Sequence, residues 1–409
     1  MNINLRESAI IALNALNAHK LRSILTLVGV IIGVTTVIAV VSIVQGLDSY
    51  VKNQVLQFGS DTFTVQKFPN FVTSFEEFLE YNKRRDLTLD DMKAIEERCN
   101  LCKAVAGIWD RSRTVKFGMQ SIEDVDIRGV SVNAPFMGQV MELASGRHFT
   151  ETDVDHVALR VIIGADLAEK LFYGRDPLGL EVKIDGIPFE IIGVAKKTGS
   201  FFGQSMDNFA RIPITMYQRM YGSHESLFIN VQAPSEAQLP QAMDEVRVIM
   251  RARQHTPYKK EDGFALETAA SFIDLWQSFS QGIFAVTISI ASIALIVGGV
   301  VIMNIMLVSV RERTREIGIR KAIGARRRDI LLQFLIEAVT LAGSGGLLGA
   351  LLGIAIALIL SKVSPLPAVI RWWSILMGIG MASSVGLFFG IYPASRAAKL
   401  DPIVALRFE

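Results

Sequence analysis

Cysteine is almost absent: the 409 residues contain two, Cys99 and Cys102, in Cys-Asn-Leu-Cys. No His lies beside them, so they fall short of the roughly four ligands of a structural zinc site. Glycine is plentiful, yet no Gly precedes a Lys anywhere. The G-x-x-x-x-G-K-[ST] loop that cradles nucleotide phosphates is therefore missing, and the chain cannot be its own ATP motor. Nothing resembles a catalytic triad or a metal cluster, so neither catalytic nor metal-binding residues are assigned and the chain reads as no enzyme by itself. A basic excess in the water-exposed part, which a nucleic-acid partner would require, is also lacking. Residues 46–280 hold 26 Lys/Arg and 33 Asp/Glu, net −7, while the rest hold 16 and 7, net +9.

What the chain does have is long uncharged runs. Mean hydropathy is +0.36 and half the residues are hydrophobic, values that fit a few membrane spans plus a large water-exposed domain. Gly282 to Val310 is 29 residues without a charge, a helix of about 43 Å against a bilayer core of about 30 Å. Residues 311–329, RERTREIGIRKAIGARRRD, then carry eight Arg/Lys against three Asp/Glu, and a second apolar run, Ile330 to Leu360, follows. A basic tip between two spans marks the cytoplasmic side.

Earlier, residues 4–20 repeat apolar positions with helical spacing, which predicts an amphipathic helix on the inner membrane face or an ordinary packed helix. Ile24 to Val44 is a span entering from the cytoplasm, too long in its apolar run and leader for a cleaved signal peptide. Its Gly29 and Gly33 form a G-x-x-x-G face for close helix approach, as do Gly345, Gly349 and Gly353 in the third span. Trp372 to Tyr392 is the fourth. The tail from Pro393 is basic and returns inside. The expected topology is four spans with both termini cytoplasmic and residues 46–280 outside.

That outer segment has α/β texture. Residues 61–66 alternate as a strand, 87–97 starts a helix with Thr88 as its N-cap, Val161–Gly164 leads into a helix over 165–172, and Asp185-Gly186 turns a hairpin over 181–193. Phe71, Phe75, Phe78 and Leu79 fall at helical spacing, and packing onto the domain's own core is the favoured reading over a substrate or partner surface. For Cys99 and Cys102 a tight local disulfide, buried free thiols and a redox pair all stay open. Glu337 sits about two turns into the third span, where a carboxylate is a functional flag unless it is locked to a cation. A lock to one of Arg326 to Arg328 is favoured.

Several stretches taken together resemble the permease subunits of ABC transporters of the MacB/FtsX type, also called type VII or mechanotransmission transporters. The entry from Asn14 to Gly33 is similar to that family's first-span signature. Arg315-Glu-Ile-Gly-Ile-Arg-Lys-Ala-Ile-Gly-Ala325 is similar to its coupling element. Pro393-Ala-Ser-Arg-Ala-Ala-Lys-Leu-Asp-Pro402 with Ala405-Leu406-Arg407 is similar to its C-terminal signature. In the outer segment Ile163-Gly164, Leu171-Phe172, Asp176-Pro-Leu-Gly179 and Ile192-Gly-Val194 resemble the MacB-like periplasmic core.

The resemblance implies four transmembrane helices with a two-lobed α/β extracytoplasmic domain inserted after the first. The divisions are 1–45, 46–280 and 281–409, and within the last the spans 282–310, 330–360 and 372–392. It implies a dimer, made with a second copy or a paralogue, in the cell (inner) membrane, and a separate dimeric ABC ATPase that binds ATP and Mg, with no cofactor on this chain. A membrane-fusion adaptor and an outer-membrane channel are further partners of some members. Coupling to the ATPase is assigned to Arg315, Glu316, Ile317, Gly318, Ile319, Arg320, Lys321, Ala322, Gly324 and Ala325, with Ile317, Ile319, Ala322 and Ile323 as its apolar face. Family members with an ATPase fused ahead of the first span differ from this chain, which has only about 20 residues there. Export or extraction of a drug, peptide or lipoprotein is the implied function. The alternative is an FtsX-like role that activates a cell-wall hydrolase without transport.

Overall fold

The computed structural model describes residues 20–57, 59–137, 140–201, 203–223, 225–364 and 366–406. The helix expected over 4–20 lies, apart from Lys20, outside them, as does Arg407. Helix α1 (Lys20–Gln57) leads to β1 (Thr62–Gln66), α2 (Phe75–Asn82), α3 (Leu89–Arg98), β2 (Ala104–Phe117) and β3 (Gln120–Val130). Next come β4 (Leu143–Gly146), α4 (Glu151–Asp155), β5 (Arg160–Ile163), α5 (Ala165–Phe172), β6 (Glu181–Ile184) and β7 (Ile187–Ala195). Two short strands, β8 (Ser200–Phe201) and β9 (Gln204–Ser205), precede β10 (Phe209–Pro213), α6 (Ile214–Tyr221), β11 (Phe228–Gln232), α7 (Leu239–Arg253) and β12 (Ala265–Thr268). Four helices remain after α8 (Ala269–Glu312): α9 (Thr314–Ala322), α10 (Arg327–Val363), α11 (Trp372–Lys399) and α12 (Pro402–Leu406). Helices α1, α8, α10 and α11 are each long and apolar enough to cross a membrane.

Two compact units result, one of residues up to Tyr50 with Gln277–Glu409, the other Val51–Trp276. Both boundaries fall a few residues inside the expected 46–280, and both fall within helices. Helix α8 has 44 residues, about 66 Å at 1.5 Å per residue, and starts 13 residues before its apolar run. The run alone does not predict that extension, because Ala269–Gln281 is ordinary amphipathic sequence.

The second unit is built on a sheet ordered β12-β1-β11-β2-β3-β10-β5-β7-β4, with β6 pairing β2 and β7. Its hairpin β6–β7 turns at Asp185 and Gly186, both with positive φ (48° and 86°), as a two-residue primed turn requires. One sheet face carries a core that includes Phe63, Trp109, Ile127, Leu167, Tyr217 and Val246, to which α3, α5, α6 and α7 contribute. Burying each of the larger of these stabilises by about 1.5–3 kcal/mol. The other face is smaller and is covered by Met137, Met141 and Phe149 over Ile162 and Phe209.

Asp91 ties this unit together. At the start of α3 its carboxylate accepts from the Thr88 N–H at 3.0 Å, from Arg85 at 2.9 and 3.0 Å, and from Arg253 of α7 at 2.7 Å. Burial alone would raise its pKa, but the bonds from Arg253 and Thr88 and the Arg85 charge outweigh it and hold the carboxyl below its ordinary 3.8. A folded pKa lowered in this way contributes stability that is present above about pH 4 and is lost as pH falls below that value. Asp91→Asn leaves two guanidiniums without their anion. It is expected to lower stability by roughly 2–4 kcal/mol at pH 7, below the upper range for breaking a buried pair because both arginines reach solvent. The loss should shrink near pH 3, which chemical unfolding of the purified protein at the two pH values would measure.

One expectation needs revision here. Phe71, Phe75, Phe78 and Leu79 do not pack into the core. They are 44–74% exposed, and α2 buries none of its residues. The helix is held at its ends instead: Ser74 accepts from the Glu77 N–H at 3.2 Å, and Phe78 stacks on Phe68 at 5.7 Å. The cysteines are joined, Cys99 to Cys102, and Glu245 of α7 accepts from the Asn100 and Leu101 N–H groups inside that loop at 3.0 and 2.9 Å.

Candidate functional site

In the membrane unit the helices approach closely wherever the small-residue pattern falls. A Cβ on Gly29 would come within 2.8 Å of the Gly298 Cα, backbone that cannot yield. Gly33 faces Leu295, also on α8. The α10 stripe faces α1: Gly345 meets Leu27 and Val30, Gly349 meets Ile31 and Val34, and Gly353 meets Thr35 and Ile38. Thr35 Oγ1 donates to the Gly349 carbonyl at 3.0 Å. Contacts of this kind drive helix association where water supplies no hydrophobic force. The sequence reading missed the reciprocal positions, Gly298, and Gly386 against Ala338 and Ala342.

The basic tip is built from the end of α8 through α9 to the start of α10. Thr314 Oγ1 donates to the Val310 carbonyl at 3.0 Å, closing one helix as the next begins. Gly324, at φ +101° with open space around it, releases the chain from α9. The Arg326 N–H then donates to Asp329 at 3.0 Å to start α10. Within this frame the assigned residues separate. Ile317 and Gly318 are buried, Ile317 joining a cluster with Val310, Phe334, Ala394 and Ala397. Both belong to the packing of the tip rather than to its surface. Arg315, Glu316, Ile319, Ala322 and Gly324 are exposed, and Arg320, Lys321 and Ala325 are half-buried.

Arg320 bridges Glu316 at 2.5 Å and Gln333 of α10 at 3.0 Å. Lys321 Nζ donates to the carbonyls of Ala398 and Leu400 at 2.6 and 2.7 Å, satisfying the end of α11 where a cation is favoured. Burial, then the nearby Arg327 charge, lower the Lys321 pKa. Helix α12 packs against α9. Asp401 caps it, accepting from the Ile403 N–H at 2.9 Å. The exposed aliphatic surface thus has two sources, Ile319 (45%) and Ile323 (80%) beside α9, and Ile403 (69%) and Val404 (62%) on α12. The α12 pair escaped the sequence reading, although Asp401-Pro402 is an N-cap followed by an N1 proline, a helix start. Arg315, Arg326, Arg327 and Arg328 are exposed on the same stretch.

Glu337 is locked, but to a different cation from the one expected. Arg313 Nη1 reaches both carboxylate oxygens at 3.3 Å, while Arg326 to Arg328 point to solvent. The Glu337 side chain is 9% exposed and Arg313 27%.

Residues 23–249 match the family model of the MacB-like periplasmic core domain, and residues 288–402 match the FtsX-like permease C-terminal model. The ABC transporter permease YknZ of Bacillus subtilis is 35% identical over 414 residues, covering all of both chains. The macrolide export ATP-binding/permease protein MacB of Bdellovibrio bacteriovorus is 34% identical over 398 residues, 96% of this chain and 60% of that protein. The chain thus spans about 60% of the length of the MacB relatives it matches. Among solved structures, the periplasmic region of MacB from Actinobacillus actinomycetemcomitans aligns over 56% of this chain and 98% of that one, with a TM-score of 0.46 at 15% identity.

Proposed function

The chain belongs to the MacB/FtsX family of ABC transporter permeases, and on that premise we propose that it couples a separate ABC ATPase to work done by its extracytoplasmic domain. The observation that carries this reading is the tip: four exposed aliphatic side chains on the packed pair α9 and α12, with exposed arginines nearby. A surface of that size suits a groove on a soluble partner. Ion pairs at its rim would add orientation more than affinity. The tip continues through the chain into α8, whose 44 residues run unbroken from one unit to the other. A long helix converts displacement at one end into displacement at the other, which is mechanotransmission without passage through the bilayer bundle. In this reading the tip and both termini are cytoplasmic and residues 46–280 lie outside.

The substrate class is export or extraction cargo, a drug, peptide or lipoprotein, because the chain carries the full MacB-like core domain. The FtsX-like C-terminal match keeps hydrolase activation as the second reading. The assembly is a dimer of permeases on a dimer of ATPases, with ATP and Mg held by the ATPase. An adaptor and an outer-membrane channel complete it in hosts with two membranes. An affinity pull-down from the native membrane, identified by mass spectrometry, tests this. Recovery of an ABC ATPase with an adaptor is the expected result. An ATPase with a cell-wall hydrolase and no adaptor would favour the signalling reading, and no ATPase at all would overturn the coupling.

A further inference from the structure

Buried charges in proteins are ordinarily paired. On the outer unit's sheet the half-buried Arg211 is not. Arg211 on β10 stands in register with Arg128 on its parallel neighbour β3, and both guanidiniums lie over the Phe209 ring, at 5.1 and 5.5 Å. Like charges directly opposite on adjacent strands destabilise a sheet. Asp126 pairs directly with only one of them, accepting from Arg128 Nε at 2.7 Å, and reaches Arg211 only through its charge. Asp110, the Arg128 register partner on β2, lies on the side away from Arg211.

Arg211 has neither ion pair nor hydrogen bond among the described residues, and its Nε is closed off from solvent with no acceptor. One other shielded polar atom beside it lacks a partner, His148 Nδ1, whose ring feels the Arg211 charge. Phe136, 51% exposed, meets the His148 ring edge-on at 5.0 Å. Burial, then the Arg128 charge, hold Arg211 down to about 10, so it stays cationic at neutral pH. Burial and Arg211 also lower the His148 pKa, which favours a neutral ring.

We infer that this shelf binds a single carboxylate carried by an apolar molecule, with Arg211 forking onto its oxygens and Phe136 against its body. The monoanion follows from the surroundings: a dianionic phosphate would meet the Asp126 charge, while one carboxylate at the Arg211 end gives its guanidinium the direct partner it lacks. Bidentate pairing is what the planar guanidinium does best. A peptide C-terminus and a fatty acid offer the same group. The inference rests on the outer unit being the part that meets cargo.

The test uses the full chain in nanodiscs without any ATPase, titrated calorimetrically with acetyl-trileucine, its C-terminal amide and octanoate, with empty nanodiscs subtracted. The free acid is expected to bind at least tenfold more tightly than the amide, and Arg211→Gln to remove that preference while Arg211→Lys keeps part of it. Octanoate binding with the same Arg211 dependence identifies the fatty-acid source, and binding of the peptide alone identifies a peptide C-terminus. Equal binding of acid and amide, no binding of either acid, or an unchanged preference in Arg211→Gln overturns the site. Should Arg211→Gln fail to fold, the acid-against-amide comparison on the unmodified protein decides alone. Because no ATPase is present, failure here leaves the coupling reading standing, and failure of coupling leaves this binding intact.

Discussion

Replacing Ile319 and Ile323 together with Glu is expected to lower stimulation of the partner ATPase at least tenfold while leaving the permease folded in the membrane. The two side chains are 45% and 80% exposed, so the free protein loses almost no packing. In a docked complex each isoleucine contributes about 1.5–3 kcal/mol by leaving water. Losing both, with two carboxylates placed at an apolar interface, weakens docking by two or more powers of ten. ATPase rate as a function of permease concentration, beside the thermal transition of the variant, separates docking from folding. Full stimulation by the double variant would remove the tip from the coupling scheme. Ile403→Glu with Val404→Glu is the matching change on α12. Substitution at Gly318 would be a poor test, since that residue is buried and a bulky side chain there would disturb the fold before it touched a partner.

Arg313→Ala should be the most damaging single change in the membrane unit. It strips the counter-ion from a Glu337 carboxylate that is 9% exposed. Breaking a buried pair costs about 3–5 kcal/mol, trimmed here to roughly 2–4 because Arg313 itself is partly exposed. Glu337→Gln should cost less, since a neutral amide still accepts from Arg313, and Arg313→Met with Glu337→Leu should recover most of the loss. Thermal unfolding of the four proteins in nanodiscs compares these losses side by side. If Glu337→Gln destabilised as much as Arg313→Ala, the lock would be the wrong account of this pair. If the apolar double variant were stable but no longer stimulated the ATPase, the pair would serve transmission rather than folding.

The elements read best from the sequence were those specified by neighbours in the chain. Asp185-Gly186 needs only its own φ angles to turn a hairpin, Thr88 caps a helix through residues three positions on, and an uncharged run of 29 residues announces a span whatever surrounds it. What failed was specified by residues distant in sequence. Glu337 was assigned to Arg326–Arg328 because they lie within three turns on one helix, but its partner enters from the end of α8, 24 positions away. The Phe75, Phe78 and Leu79 stripe has the spacing of a core-facing helix, and spacing says nothing about whether a second surface is there to meet it. Nor does periodicity show that Ile317 and Ile319, two residues apart on one short helix, face opposite environments. Part of the candidate site was legible from its motif, but its division into inner and outer faces was set by α11 and α12, nearly 80 residues later.

The Lys321 ammonium bears on how the tip moves. Its two hydrogen bonds, 2.6 and 2.7 Å long, end on carbonyls of α11 and of the residue that follows it. A slip of about 1 Å between α9 and that helix end would break both, since such contacts weaken steeply beyond their normal length. The two bonds therefore tie the short helix to the end of α11. A load placed on α9 is divided at the first step, one share entering α8 along the peptide chain and the other entering the last span sideways, through the Lys321 amine and the Ile317 packing.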